Sequence, residues 1–219
     1  MAGGLGSRLG AITKHKPKAA IEIKGKPFIY YTMDWLRKNG FREFVFLLSY
    51  KSEIIENLIL SYSKEKNIQC NFYVDQKRSG TFNAIYSIRN QLNKDFFYTN
   101  ADEISNVNIQ SMYLRFLENN LSVISLLKKD SSGYLNIERD FIKEKLKISH
   151  GTHIELGCKF VNKKIFQFVD TKYEKFEDFL YVDLINKTRI GYYLSKSLPI
   201  RIDRAIDIKN TNKYLTNNK

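Results

Sequence analysis

Apolar positions along the chain alternate between helical and strand spacing. Ile29, Met33 and Leu36 fall at i, i+4 and i+7, which predicts a helix over residues 28–39 that Gly40 is placed to end. Residues 43–49 form an apolar run of strand length, expected to be buried on both faces. Ser52 then reads as an N-cap with Glu53 and Glu56 in the first turn, and Ile55, Leu58, Ile59 and Tyr62 make one face of a helix over 52–66. Residues 68–74 read as a strand, and a further helix carries Ile85, Ile88 and Leu92. Strands are expected at 96–99, 121–127 and 189–194, and helices at 108–119 and, briefly, up to Leu215. The pattern weakens over residues 131–147, where charges crowd around Gly133. Helices alternating with short strands predict an α/β fold with a largely parallel sheet, whose ligands bind beyond the strands' carboxyl ends. The chain is expected to form a single domain over residues 1–219, with a subregion at about 128–190.

One stretch stands outside this periodicity: Gly3-Gly4-Leu5-Gly6-Ser7-Arg8-Leu9, followed by Pro17-Lys18. Three glycines in four positions give a backbone that can approach a ligand closely and turn its N–H groups toward an anion. Arg8 adds a planar, permanently charged fork, and Lys18 a compact second cation. The stretch reads either as a cradle for a polyphosphate or as a plain turn with solvated basic residues. It is not a Walker loop, since no G-x-x-x-x-G-K-[ST] occurs. It is not the dinucleotide fingerprint either, because Leu9 holds the third glycine position.

Composition narrows the partners. Apolar residues make up 43% and charged residues 27%, which excludes a disordered chain. The net charge of +13 suits anionic small molecules. A nucleic-acid partner is not expected, because the lysines are dispersed and no zinc-finger or RNA-binding motif accompanies them. Cys70 and Cys158 lack a metal spacing and fit reduced thiols in a cytoplasmic protein. No apolar run approaches 18 residues, so neither a membrane span nor a signal peptide is expected.

The glycine stretch, Pro17-Lys18 and Ile23-Lys24-Gly25-Lys26-Pro27-Phe28 together resemble the opening signature of the sugar-1-phosphate nucleotidylyltransferases. The resemblance implies a three-layer, Rossmann-like, mostly parallel sheet. It implies that Ala2, Gly3, Gly4, Gly6 and Ser7 wrap the nucleotide phosphates while Arg8 and Lys18 neutralise the α-phosphate and the leaving pyrophosphate. The family places a buried strand directly before this loop. That strand is absent ahead of Met1, so Met1 is expected to be internal to a longer natural chain.

Further matches follow. Residues 75–85 resemble the family's nucleobase loop, with Gly80 and Thr81 in agreement. Asn83 departs from it and could hydrogen-bond a base edge instead. Asn83-Ala84-Ile85-Tyr86-Ser87 also resembles phosphocholine-type cytidylyltransferases. Asn100-Ala101-Asp102 matches a motif whose Asp binds Mg²⁺, and Ile206-Asp207-Ile208 matches the segment supplying the second carboxylate, with Asp203 a nearby competitor. On the acceptor side, Lys145 of Glu144-Lys145 resembles a lysine that contacts the acceptor's phosphate. Glu155 and Gly157 fall in the segment lining the acceptor pocket, where Glu155 could accept from hydroxyls or pair with a cationic acceptor. Glu177 could touch a hydroxyl or sit in a helix first turn. His150 and His153 form an H-x-x-H pair without a third metal ligand and read as a surface loop.

The implied activity is Mg²⁺-dependent transfer of a nucleoside monophosphate from its triphosphate to a sugar 1-phosphate, with GTP and mannose- or heptose-1-phosphate the first choice. A cytidylyltransferase acting on phosphocholine or another small phosphate is the alternative. A non-catalytic nucleotide-binding relative is the reading from another class. A homo-oligomer fits any of them.

Overall fold

The computed structural model describes residues 1–4, 6–146 and 151–217. Leu5 of the glycine stretch and His150 of the H-x-x-H pair lie outside the described residues. The chain divides into two compact units, Met1–Arg78 with Asn100–Ile104 and Ile200–Lys219, and Ser79–Thr99 with Ser105–Pro199.

In the first unit the expected helix forms as Phe28–Lys38, burying Phe28, Ile29, Thr32, Met33 and Leu36 along one face. It stops where Gly40 takes φ +95°, a value that only glycine adopts without strain. The strands Glu43–Leu48 and Gln69–Val74 pair in parallel, from Glu43 opposite Gln69 to Leu48 opposite Val74. The helix Ser52–Lys66 makes the crossover and buries Ile55, Ile59 and Tyr62. Its cap differs from expectation. Lys51, not Ser52, is the N-cap and takes a left-handed φ of 50°, with no side-chain cap bond. That sharp turn starts the helix one residue early, leaving the Ser52 hydroxyl inside the first turn. Asn67, also left-handed, ends it, and the Ile68 N–H bonds back to the Ser63 carbonyl.

The glycine stretch is stitched into this unit at its start. The Ala2 N–H donates to the Leu47 carbonyl at 2.9 Å, and the Ala101 N–H to the Met1 carbonyl at 2.8 Å. A short antiparallel pair, Glu103–Ile104 with Ile200–Arg201, lies beyond that turn. Leu9, Ile21, Ile23, Phe28 and Ile202 pack into one buried cluster flanked by Ile104, Ile200 and Ile208. The cluster therefore joins the glycine stretch, the Lys18 turn and the residues around Asp203 through a single apolar contact set.

The second unit holds a six-stranded sheet in the order Asp95–Tyr98, Gly151–Asn162, Val123–Gly133, Ile190–Leu194, Phe141–Lys145, Leu135–Glu138. It is mixed. Val123–Gly133 and Ile190–Leu194 run parallel, and the other neighbours are antiparallel. Direct returns of the chain replace crossover helices here, and antiparallel pairing needs no crossover. Within the weakly patterned stretch, residues 131–146 supply one such return, with Leu135–Glu138 and Phe141–Lys145 forming a hairpin. The helix Ile109–Glu118 is capped by Asn108, which accepts the Ser111 N–H at 2.9 Å. The helix after residue 80 is shorter than expected. It spans Thr81–Ser87, and beyond it Ile88 and Arg89 bond back three residues, tightening the chain into turns before Leu92. No helix among the described residues is long and apolar enough to cross a membrane.

Phe28 is fully buried at the head of its helix, within the cluster that touches the Lys18 turn. Phe28→Ala is expected to cost about 3–5 kcal/mol, read as a lower urea midpoint with little change in slope.

Candidate active site

Lys18 opens the single turn Lys18–Ala20 directly after Pro17. Its ammonium lies against two carboxylates, Asp102 and Asp203, and the three side chains are largely buried. Burial alone would lower the Lys18 pKa, but Asp102 and Asp203 outweigh it and hold the ammonium above its usual value. Burial would likewise raise the Asp203 carboxyl. Lys18 outweighs that, with smaller help from Arg201 and Arg8, and holds it low. Arg201 Nε is 2.9 Å from Asp203 Oδ2. Arg8 itself is exposed on the turn Ser7–Leu9.

The glycines around this cluster are there for different reasons. A Cβ on Gly3 would come within 2.9 Å of the Ser49 Cβ, and one on Gly6, at φ +63°, within 2.8 Å of Thr13 Cγ2. The Thr13 hydroxyl donates to the Gly6 carbonyl at 2.9 Å and pins the loop. A Cβ on Gly4 would meet nothing within 4 Å, so open space lies beside it. Ala2 is buried.

Asp207, expected as the second metal carboxylate, is placed otherwise. Its Oδ2 accepts the N–H groups of Asp203 at 2.9 Å and Arg204 at 2.8 Å, capping the start of the helix Ala205–Asn217. It is Asp203, the nearby competitor, that meets the Lys18 ammonium together with Asp102. The cause is the pairing of Ile200–Arg201 with Glu103–Ile104, extended by the Ile202 N–H donating to the Asp102 carbonyl at 3.3 Å. Two hard carboxylates already converging on one cationic centre form a donor set that suits Mg²⁺, which ordinarily takes one or two carboxylates and completes its shell with phosphate and water. Among the described residues there is no cluster of three or more His, Cys, Asp or Glu side chains that could hold a metal ion.

In the second unit, Gly80 takes φ +95°, and a Cβ there would meet the Glu174 carbonyl oxygen at 2.2 Å. The Thr81 hydroxyl accepts the Phe176 N–H at 2.9 Å, and the Phe82 N–H donates to the Glu174 carbonyl at 3.1 Å. Asn83 Nδ2 donates to the carbonyls of Ser79 at 2.5 Å and Tyr173 at 3.0 Å. Both amide hydrogens are thus committed to backbone, so a hydrogen bond from Asn83 to a base edge would fall to its Oδ1 as acceptor. Gly80, Thr81 and Asn83 together clamp the segment from Tyr173 to Phe176.

That segment leads into the expected acceptor residues. Lys145 Nζ is 2.6 Å from Asp178 Oδ1. Glu177 pairs with a residue that the sequence reading missed, Lys159, whose fully buried Nζ lies 3.0 Å from Glu177 Oε1 and 3.1 Å from Glu155 Oε1. The only signal for it was a lysine between Cys158 and Phe160, four residues after Glu155. Gly157 makes the contact feasible. Opposite Val123–Gly133, Glu155 pairs with Leu127 and Lys159 with Ser125, so four steps on one strand match two on the other. Gly157, at φ +76°, carries the resulting bulge.

Burial pushes the Glu155 carboxyl up against the pull of Lys159. For Lys159 burial is outweighed by Glu155 and Glu177, and the ammonium is held well above its usual value. Glu155 is therefore already paired with an internal cation and is not free for a cationic acceptor. His153, expected in a surface loop, is buried within the strand Gly151–Asn162, its Nδ1 2.7 Å from the Thr152 hydroxyl.

The sequence model of the family described as Nucleotidyl transferase matches residues 1–177. A D-glycero-alpha-D-manno-heptose 1-phosphate guanylyltransferase of Aneurinibacillus thermoaerophilus is 29% identical over 98% of this chain and 96% of its own length. An enzyme of the same description from Campylobacter jejuni is 28% identical over 82% of each chain. Among solved structures, HddC from Yersinia pseudotuberculosis superposes with a TM-score of 0.78 at 24% identity, covering 98% of this chain and 96% of that one. A family match over residues 1–177, on a fold shared with solved relatives, establishes that the chain belongs to the nucleotidyl transferase family.

Proposed function

We propose that the chain acts as one catalytic domain that transfers GMP from GTP to a heptose or mannose 1-phosphate, giving a nucleotide sugar and pyrophosphate. The observation that carries this reading is Lys18 held between Asp102 and Asp203, in a chain whose near full-length relative is a heptose 1-phosphate guanylyltransferase. A nucleoside triphosphate donor fits a cytoplasmic setting.

An oxygen of the acceptor phosphate attacks the α-phosphorus in line. One P–O bond forms while the bond to pyrophosphate breaks. The acceptor oxygen is already ionised, so no general base and no covalent enzyme intermediate are needed. The difficulty is bringing two anions together. Mg²⁺ held by Asp102 and Asp203 would supply charge neutralisation at the phosphates. Lys18 lies against the same carboxylates, at hand for the charge that develops on the α-phosphate and the leaving group. Exposed Arg8 offers its fork to the outer phosphates, and the glycine stretch its N–H groups. Lys145, paired with Asp178, is the candidate for the acceptor's phosphate.

The cytidylyltransferase alternative drew its support from Asn83 and Glu155. The Asn83 amide nitrogen donates to two backbone carbonyls and Glu155 faces Lys159, so Glu155 is not a free counter-charge for a cationic head and Asn83 keeps only its Oδ1 for a base.

Pyrophosphate release with Mg²⁺, measured for each ribonucleoside triphosphate against heptose-, mannose- and glucose-1-phosphate and phosphocholine, tests the reading. GTP with a heptose or mannose phosphate is the expected pair. Release only with CTP and phosphocholine would replace the reading, and nucleotide binding without release would point to a non-catalytic relative.

The two carboxylate assignments separate cleanly by mutation. Asp102→Asn and Asp203→Asn are each expected to lower kcat by on the order of 10²-fold or more. Asp207→Asn should keep most turnover and lose only about 1 kcal/mol of stability with its capping charge. A turnover loss in Asp207→Asn matching that in Asp203→Asn would return Asp207 to the metal site. Lys18→Ala should cost on the order of 10²-fold in kcat with a smaller effect on the KM for GTP.

A further inference from the structure

Lys159 is the only buried lysine or arginine among the described residues, and its surroundings have a definite chemical character. Its ammonium sits 3.1 Å from Glu155 Oε1 and 3.0 Å from Glu177 Oε1, 4.6 Å from the centre of the Tyr98 ring and 5.8 Å from that of Phe176. Two carboxylates and two ring faces are the groups that recognise an ammonium ligand. Here the chain supplies the ammonium itself, tethered to the bulged strand. A buried ion pair of this kind is rarely the most stable filling of its volume, since apolar packing often does as well. Stability alone therefore gives no reason for the charge.

The cage adjoins the acceptor residues. Glu177 precedes Asp178, the partner of Lys145. Glu155 Oε1, on the bulged strand, is held by the same ammonium at 3.1 Å.

We infer that Lys159 sets the chemical class of the acceptor: it fills an aromatic and carboxylate cage with a tethered ammonium, admitting neutral, hydroxyl-bearing phosphates and excluding those with a cationic head. The inference rests on the sugar-phosphate reading and names the residue that enforces it.

Lys159→Ala empties the cage. The variant's melting temperature is expected to rise with n-butylammonium chloride and not with sodium chloride or butan-1-ol, while the wild type responds to none of them. In pyrophosphate release, the preference in kcat/KM for mannose 1-phosphate over phosphocholine is expected to fall by about tenfold or more relative to wild type. Lys159→Ala/Glu155→Gln leaves only the partly exposed Glu177 without its partner. It provides a folded protein should the single variant fail to fold, and the same two changes are expected in it.

A folded variant that ignores butylammonium, or that responds to it while keeping the wild-type acceptor preference, would overturn the inference. The ammonium response needs no turnover. Failure of the sugar-phosphate reading would appear separately, as a wild type that releases pyrophosphate with no sugar phosphate.

Discussion

Two carboxylates held close together in a partly buried site repel one another unless a cation lies between them. Asp102 and Asp203 meet that condition through Lys18, and the architecture of the first unit can be traced from this requirement. Lys18 must be presented by a rigid turn, which Pro17 opens and the buried Ala19 and Ala20 anchor. Asp102 must follow a fixed backbone, supplied by the bond from Ala101 to Met1. Asp203 must arrive from far along the chain, and the pairing at residues 200–201 delivers it. The apolar cluster of Leu9, Ile21, Ile23, Phe28 and Ile202 holds all three arrivals together. The core lies directly under the charged site, so packing there and charge placement above it are one problem.

The second unit solves a related problem differently. Its cation, Lys159, is fully buried, and the carboxylates come to it on a bulged strand and a short helical turn. Glu177 and Asp178 are consecutive, yet each is held by a lysine from a different strand. The backbone just before them is clamped to residues 80–83 by hydrogen bonds at Thr81, Phe82 and Asn83. A change at residues 173–178 would therefore be felt both at residues 80–83 and at Lys145 and Lys159, through covalent continuity and a handful of bonds. No long-range mechanism is needed for that coupling.

The sequence was most informative where local physics decides. The amphipathic stripe at 28–39 and the apolar run at 43–49 carry their structure in their own spacing, and both elements form nearly as expected. The glycine stretch was legible because its glycines answer close approaches at Gly3 and Gly6. Three features were not legible, and each depends on a distant partner. The placement of Asp203 against Lys18 and of Asp207 at a helix start turns on a two-residue pairing with Glu103–Ile104. The direction of strands in the larger sheet depends on returns through residues with weak hydrophobic pattern. Lys159 looked like one of many lysines because its meaning lies in a bulge and in Glu177, 18 residues later.

The contrast between the two lysines bears on how such a site is built. Lys18 keeps some contact with solvent and pairs with carboxylates suited to a divalent ion, so its place can be shared with a ligand. Lys159 has no exposed surface, and the two rings beside it are packed further, Tyr98 on Phe176 at 5.3 Å and Phe176 on Phe179 at 6.5 Å. Moving its ammonium would require breaking two ion pairs and opening that aromatic packing, a cost well above the modest differential affinity that a small acceptor can offer. One cation is therefore positioned to take part in exchange, and the other to define a fixed boundary. A chain with a net charge of +13 has many lysines to spare, but only these two meet a pair of carboxylates under such burial among the described residues. The physical difference between them is access to water: Lys18 keeps some, and Lys159 has none.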